Sequence, residues 1–283
     1  MTFSIVARSA DGGALGVAVA SKFLRVGAAV PAALADVGAV ATQSYANLAY
    51  RPQALALLGT GVPAPQTVAG LIAADDGPIE HRQVGVVGTS GDGATFTGPA
   101  CHAWAGGAAG DGFAIQGNML AGPQVVEQMR TAWLAGKDQA RLAYRLLAAL
   151  RAGDEAGGDR RGRQSAALLV VAKGQGYGGT SDVLVDLRVD DHPAPVTELA
   201  RLLEMHTLYF ERPDPATLLD LDGPVGAEVR SLLAGAGHPA GSTLAELDEA
   251  LASWAGIENL EERVVAGRID PLVLGILRGG SAA

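Results

Sequence analysis

The chain has 283 residues, 48% of them apolar, and a formal net charge of −9 from 21 basic and 30 acidic residues. This composition supplies enough apolar side chains for a substantial core and excludes general disorder, while the acidic balance and the lack of a dense Lys/Arg stripe exclude nucleic acid as an expected partner. Cys101 is the single cysteine, so neither an intramolecular disulfide nor a cysteine metal cluster can form.

Phe3, Ile5 and Ala7 alternate with Thr2, Ser4, Val6 and Arg8, which predicts a strand with one buried face from residue 2 onward. Ser9–Gly13 reads as a turn, and Leu15, Val17 and Val19 resume the alternation, so the chain opens with an antiparallel hairpin. Two short apolar runs flank an Ala35-Asp36 turn, and polarity then rises at Gln43, Ser44 and Asn47. Pro52–Leu58 and Pro65–Ala74 have helical spacing. Prolines and glycines interrupt the uncharged stretch from Pro52 to Ala74, so no membrane span is expected there. Residues 83–98 read as a hairpin closed on Ser90-Gly91-Asp92-Gly93, and residues 112–117 as a further strand.

From Gln124 to Arg151 the spacing predicts two helices, with Val125, Val126, Met129 and Trp133 on one stripe and Leu142, Leu146 and Leu150 on the other. Two more strands follow, AALLVVAK and DVLVDLRV. Strands, then helices, then strands indicate an α+β layered architecture and not a strict βαβ alternation. Glu211-Arg212-Pro213-Asp214-Pro215 reads as a linker, giving a body over residues 1–210 and a small helical domain over 211–283. The tail's helices are expected at Val225–Ala234, Thr243–Trp254 and Pro271–Leu277.

Several apparent motifs dissolve on inspection. Gly174-Gln175-Gly176-Tyr177-Gly178-Gly179 has dinucleotide-loop spacing, but a strand follows where a helix N-terminus is required, so it reads as a hairpin turn. Cys101 and His102 are neighbours on a presumed strand and point to opposite faces, which favours a buried cysteine over a thiol–base pair. Asp190-Asp191-His192 has no second histidine at ligand spacing and reads as a charged loop. No metal and no cofactor is expected.

Polar residues gather where strands end: Ser21-Lys22, Gln43 to Asn47, Gln116-Gly117-Asn118, and the run from Gly157 through Asp159, Arg161, Gln164 and Ser165. Thr2 stands out by position. Removal of Met1 would leave its hydroxyl beside a free α-amine, which titrates near about 7.7–8.0 and can act as general base for that hydroxyl. The competing reading is a threonine that merely suits a strand.

The blocks TFSIVAR, LGVAVASKFLRVG, VGAVATQSYAN, FTGPAC, QGNML and GGDRRGRQSAAL occur in this order over about residues 2–208 and resemble the domain-of-unknown-function family 1028. Members of that family are regarded as similar to N-terminal nucleophile (Ntn) hydrolases. WAGIENLEERV and IDPLVLGIL resemble the small peptidoglycan-binding-like domain that often follows in this family. The resemblance implies a four-layer αββα sandwich with the nucleophile opening the first strand. Carried over, Thr2 is the nucleophile, Ser21 and Lys22 tune it, Asn47 or Asn118 donates to an oxyanion, and Asp159, Gln164 and Ser165 position the α-amine. Independently of the resemblance, the polar stretches at strand ends supply the expected substrate-binding set, Gln43, Ser44, Gln116, Arg161, Gln164 and Ser165. The implied activity is cleavage of a C–N bond in a small amide or ureide. A charged lead followed by an apolar stretch is not seen at the N-terminus, so a cytoplasmic protein is expected, and a homo-oligomer is the expected state. The alternative is a non-catalytic protein that engages cell-wall glycan or a protein partner.

Overall fold

A computed structural model describes residues 2–279. The opening hairpin joins β1 (Thr2–Arg8) to β2 (Ala14–Ser21) through a turn in which Gly12 takes φ 78°, a conformation that glycine adopts without Cβ strain. A short α1 (Val26–Ala29) leads into β3 (Pro31–Leu34) and β4 (Gly38–Ser44), which meet at a tight turn around Asp36. The helices α2 (Tyr50–Gly59) and α3 (Ala64–Ala74) follow, then the hairpin β5 (Arg82–Gly88) and β6 (Ala94–Thr97). β7 (Gly106–Gly110) and β8 (Phe113–Asn118) come next, then α4 (Gln124–Ala135) and α5 (Leu142–Glu155), β9 (Ser165–Ala172) and β10 (Val183–Val189). α6 (Pro195–Phe210) closes this series.

The strands form two antiparallel sheets, one of six strands in the order β10-β9-β2-β1-β8-β7 and one of four in the order β3-β4-β5-β6. Both faces of β1 are buried, not the single face that its alternation suggests. On one face Val6, Val17 and Val19 pack against Ala39, Ala41 and Val87 of the four-stranded sheet. The other face carries Phe3 and Gly16, close against α4 and α5: a Cβ on Gly16 would lie 2.7 Å from Leu146 and one on Gly153 2.6 Å from Met129. α2 and α3 cover the four-stranded sheet through Tyr50, Ala54, Leu58, Val68 and Leu71. Polar residues on β1 are therefore interior residues, and each must find a hydrogen-bond partner inside the protein.

The elements absent from the sequence expectation include the short α1, β7 and α6. β7 is Gly-Gly-Ala-Ala-Gly and lacks the branched and aromatic residues that signal a strand; its pairing to β8 sets its conformation. α6 carries Val196, Leu199 and Leu203 at helical spacing, and all three are buried. Cys101 is half-buried in the turn after β6, not buried in a strand, because the β6–β7 connection follows an irregular path.

The chain divides into compact units Met1–Ala200 and Arg201–Ala283. In the second, β11 (Leu219–Asp220) pairs with β12 (Arg268–Ile269), and three helices, α7 (Gly223–Gly235), α8 (Leu244–Ile257) and α9 (Pro271–Leu277), enclose a core of Leu221, Val229, Leu247, Trp254 and Leu274. Thr243 and Glu246 form a reciprocal capping box that starts α8. Arg263 pairs with Asp270 inside this core, both nearly fully buried, and also donates to the Thr207 and Leu208 carbonyls at 2.7 Å. Among the described residues no helix is long and apolar enough to cross a membrane.

Candidate active site

Strand register assembles the first part of the site. Thr2 pairs with Asn118 of β8, and Ser21 of β2 pairs with Ser165 of β9. Since β1 and β2 are neighbours, with Phe3 opposite Ala20, one row crosses four strands: Asn118, Thr2, Ser21, Ser165. Thr2 and Ser21 place their hydroxyl oxygens 3.1 Å apart, and the residues are 5% and 2% exposed. Ser165 accepts from the Val26 amide at 3.1 Å and donates to the Phe23 carbonyl at 2.5 Å, so it anchors the segment after Ser21. Met1, whose removal would free the Thr2 amine, lies outside the described residues.

Behind this row lies a network of buried amides between the sheets. Gln43 Nε2 donates to the Thr2 carbonyl at 3.2 Å and to Gln83 Oε1 at 2.8 Å. Gln83 Oε1 also accepts from Asn118 Nδ2 at 2.9 Å, and Gln83 Nε2 donates to Thr97 Oγ1 and the Gly117 carbonyl, both at 2.8 Å. Gln116 Nε2 donates to Ser4 Oγ at 2.6 Å, and Ser4 donates onward to Gln43 Oε1 at 2.7 Å. Asn118 Nδ2 reaches the Thr2 carbonyl only at 3.5 Å. The glutamines occupy space that a side chain on Gly85 would fill, since a Cβ there would lie 2.0 Å from Gln116 Oε1. Gln43 and Gln116 are therefore interior residues, 1% and 0% exposed, and not the walls of a cleft.

A loop crosses the end of the sheet. The Ala121 amide donates to the Gly158 carbonyl at 3.0 Å, Leu120 bridges Asp159, and the Arg160 amide reaches the Met119 carbonyl at 3.4 Å. On its other side, the buried Asp159 carboxylate accepts from the Lys22 amide at 2.8 Å and from the Arg161 amide at 2.8 Å. Arg161 Nη2 donates to the Lys22 carbonyl at 3.0 Å. One end of the loop is thus tied beyond β8 and the other beyond β2, and β1 lies between those strands. Gly157, Gly158 and Gly162 take φ 113°, 46° and 108°, turns that side chains rarely tolerate.

The remaining expected residues lie elsewhere. Ser44 ends β4 opposite Arg82 with φ 68°. Gln164 donates to Asp191 at 3.1 Å. Asn47 donates to Asp75 at 3.3 Å. Asp75 also accepts from Tyr50 at 2.6 Å and from Arg82 Nε at 2.9 Å. The Arg82 guanidinium, then the Tyr50 hydroxyl, hold the Asp75 carboxyl well below the usual range, whereas burial and Asp75 push the Tyr50 phenol upward. Sequence reasoning misses Gln83, Ser4 and Thr97. A glutamine opening an apolar strand, as in QVGVVG, was the available signal for Gln83. Thr97 also lines a cavity of about 540 Å³ with Cys101 and Trp104.

The architecture and site define a mixed α/β protein of paired antiparallel sheets, with hydroxyl and amide groups gathered at one strand end, followed by a helical C-terminal unit. The chain belongs to DUF1028, a family of unknown function, whose model matches residues 2–199. Residues 209–277 match the "Putative peptidoglycan binding domain". A crystal structure of a DUF1028 protein from Silicibacter pomeroyi is similar, with a TM-score of 0.65 and 28% identity, over 80% of this chain and 92% of that one. No curated protein matches the chain.

Proposed function

We propose that the protein is an Ntn-type amidohydrolase in which Thr2, after loss of Met1, attacks a small amide or ureide. The observation that carries this reading is the polar row at the start of β1, where the Thr2 hydroxyl meets Ser21 beside Asn118. The packing order supports the four-layer αββα arrangement, with α4 and α5 on one sheet, α2 and α3 on the other, and the polar row between the sheets. In this reading the α-amine takes the hydroxyl proton as Thr2 Oγ1 bonds to the carbonyl carbon. Asn118 exchanges its long contact with the Thr2 carbonyl for the oxyanion. The proton then passes to the departing nitrogen, the C–N bond breaks, and water hydrolyses the acyl ester, releasing acid and amine. Ser21 orients the nucleophile, and Asp159 holds Lys22 and Arg161 at its edge. The enzyme works in the cytoplasm as a homo-oligomer.

N-terminal mass analysis together with ammonia release from a panel of amides and ureides tests the mechanism. Active protein is expected to begin at Thr2, with Thr2→Ala inactive and folded and Thr2→Ser partly active. Retention of Met1 in active protein would sink it, because a peptide nitrogen has no basic lone pair. The second reading, a non-catalytic protein that engages cell-wall glycan, is favoured by the domain match over residues 209–277. Sedimentation of the full chain with purified peptidoglycan, without turnover on any amide, would select it.

A further inference from the structure

The loop across the start of β1 brings cations to the site of an otherwise acidic protein. Lys22, Arg160, Arg161 and Arg163 stand on two tied segments against Asp154 and Asp159. The carboxylates are already engaged. Asp154 receives Arg163 Nε at 2.7 Å, and Asp159 is buried under the Lys22 and Arg161 amides. Lys22 Nζ has only a long contact to the Arg163 carbonyl, 3.4 Å, and among the described residues no carboxylate pairs with it or with Arg160. Both side chains are exposed. Their backbones are fixed from opposite sides of β1, Lys22 following Ser21 and Arg160 bonding the Met119 carbonyl beside Asn118. Two exposed cations with no carboxylate partner among the described residues therefore belong to the segments tied at the strand end that carries the row Asn118, Thr2, Ser21 and Ser165, whose own groups are neutral. Such an arrangement adds little to stability, since the like charges repel, but it attracts and orients a small anion.

We propose that the ligand taken at Thr2 carries a carboxylate close to its amide or ureide group, and that Lys22 and Arg160 receive that carboxylate. The inference rests on the amidohydrolase reading for the identity of the scissile group, but it concerns recognition alone. Arg161 is committed to the Lys22 carbonyl and to Asp159, so it holds Lys22 in place and is not the receiving group. The carboxylate binds outside the neutral row, leaving the amide carbonyl to face the Thr2 hydroxyl.

The test uses the full chain carrying Thr2→Ala, so binding is read without turnover. Succinamate and succinamide differ only in one carboxylate against one amide, and calorimetric titration at low ionic strength compares them. Succinamate is expected to bind at least about tenfold more tightly, and its advantage to fall as salt rises. Lys22→Gln and Arg160→Gln should each weaken succinamate about tenfold and leave succinamide unchanged, while Lys22→Arg keeps affinity within about threefold. Melting curves establish that each variant is folded. Equal affinity for the two ligands, no binding of succinamate, or indifference to both charge-removing variants would overturn the proposal. Displacement by inorganic phosphate at a tenfold lower concentration would overturn the carboxylate assignment. A Thr2→Ala protein that still turns over amides would refute the nucleophile and leave these affinities untouched, so the two failures are distinguishable.

Discussion

The hydroxyl oxygens of Thr2 and Ser21 stand 3.1 Å apart at the end of two adjacent strands, although the hairpin turn lies at the opposite end of both. Ser21→Ala removes one partner of the proposed nucleophile without opening a large void. Stability should fall by about 1 kcal/mol, as for the loss of one neutral hydrogen bond, measured by urea unfolding. Turnover should fall much further, by about tenfold or more, because the Thr2 hydroxyl loses its orientation. Equal small changes in both would mark Ser21 as a strand residue only.

Gly85 is the position on which the buried glutamines rest. Gly85→Ala would place a methyl 2.0 Å from Gln116 Oε1 in a region with no exposed exit. The expected cost is about 1–3 kcal/mol from overpacking, read from the denaturation midpoint. Adding Gln116→Ala should recover part of that loss, since the clash disappears with the amide. A neutral Gly85→Ala would show that Gln116 can turn aside freely.

Asp75 gives the first unit an acid sensitivity. Its carboxyl is depressed by Arg82 and Tyr50, so it contributes stability above the unfolded-state value of about 3.9 and loses that contribution as pH falls toward its lower folded value. Wild type should therefore weaken progressively below about pH 4, and Asp75→Asn should be weaker at neutral pH yet flatter through that acid window. Urea unfolding at stepped pH measures both. Parallel curves for the two proteins would remove Asp75 as a cause.

The separability of the C-terminal unit depends on where the chain is cut. Truncation after Glu211 should leave a folded first unit, because α6 stays intact. A tail fragment starting at residue 212 should fail to fold, whereas one starting at residue 201 should fold, since Arg263 binds the Thr207 and Leu208 carbonyls and Leu208 joins the tail core. Within the full chain, Arg263→Met should cost about 3–5 kcal/mol, because Asp270 would be left as an unpaired buried charge. Thermal melting of the fragments and variant decides both points.

Local pattern fixed most of the elements and one part of the candidate site. Alternation in TFSIVAR and ALGVAVAS, turn residues around Gly12 and Asp36, and the stripes of α4 and α5 depend on nearest neighbours along the chain, so they were legible. Polar residues at strand ends pointed to Thr2, Ser21, Asn118 and Asp159 for the same reason. α6 was equally legible in principle, since Val196, Leu199 and Leu203 recur at helical spacing between the loop at residues 190–194 and the linker at 211–215. β7 was not legible, because five small residues become a strand only when β8 supplies the pairing.

What the sequence by itself determined is most of the strands and helices, the acidic and cysteine-poor character, and which polar residues stand near strand ends. Only the tertiary structure decided which of those polar residues meet. Register across four strands set Thr2 beside Ser21 and Asn118, the facing sheet turned Gln43 and Gln116 into interior groups, and the Asp75–Arg82 pair drew Asn47 away. The physical reason is that a hydrogen bond between residues 2 and 21, or 43 and 83, depends on register and sheet stacking, which many distant contacts fix together and no short stretch of chain encodes.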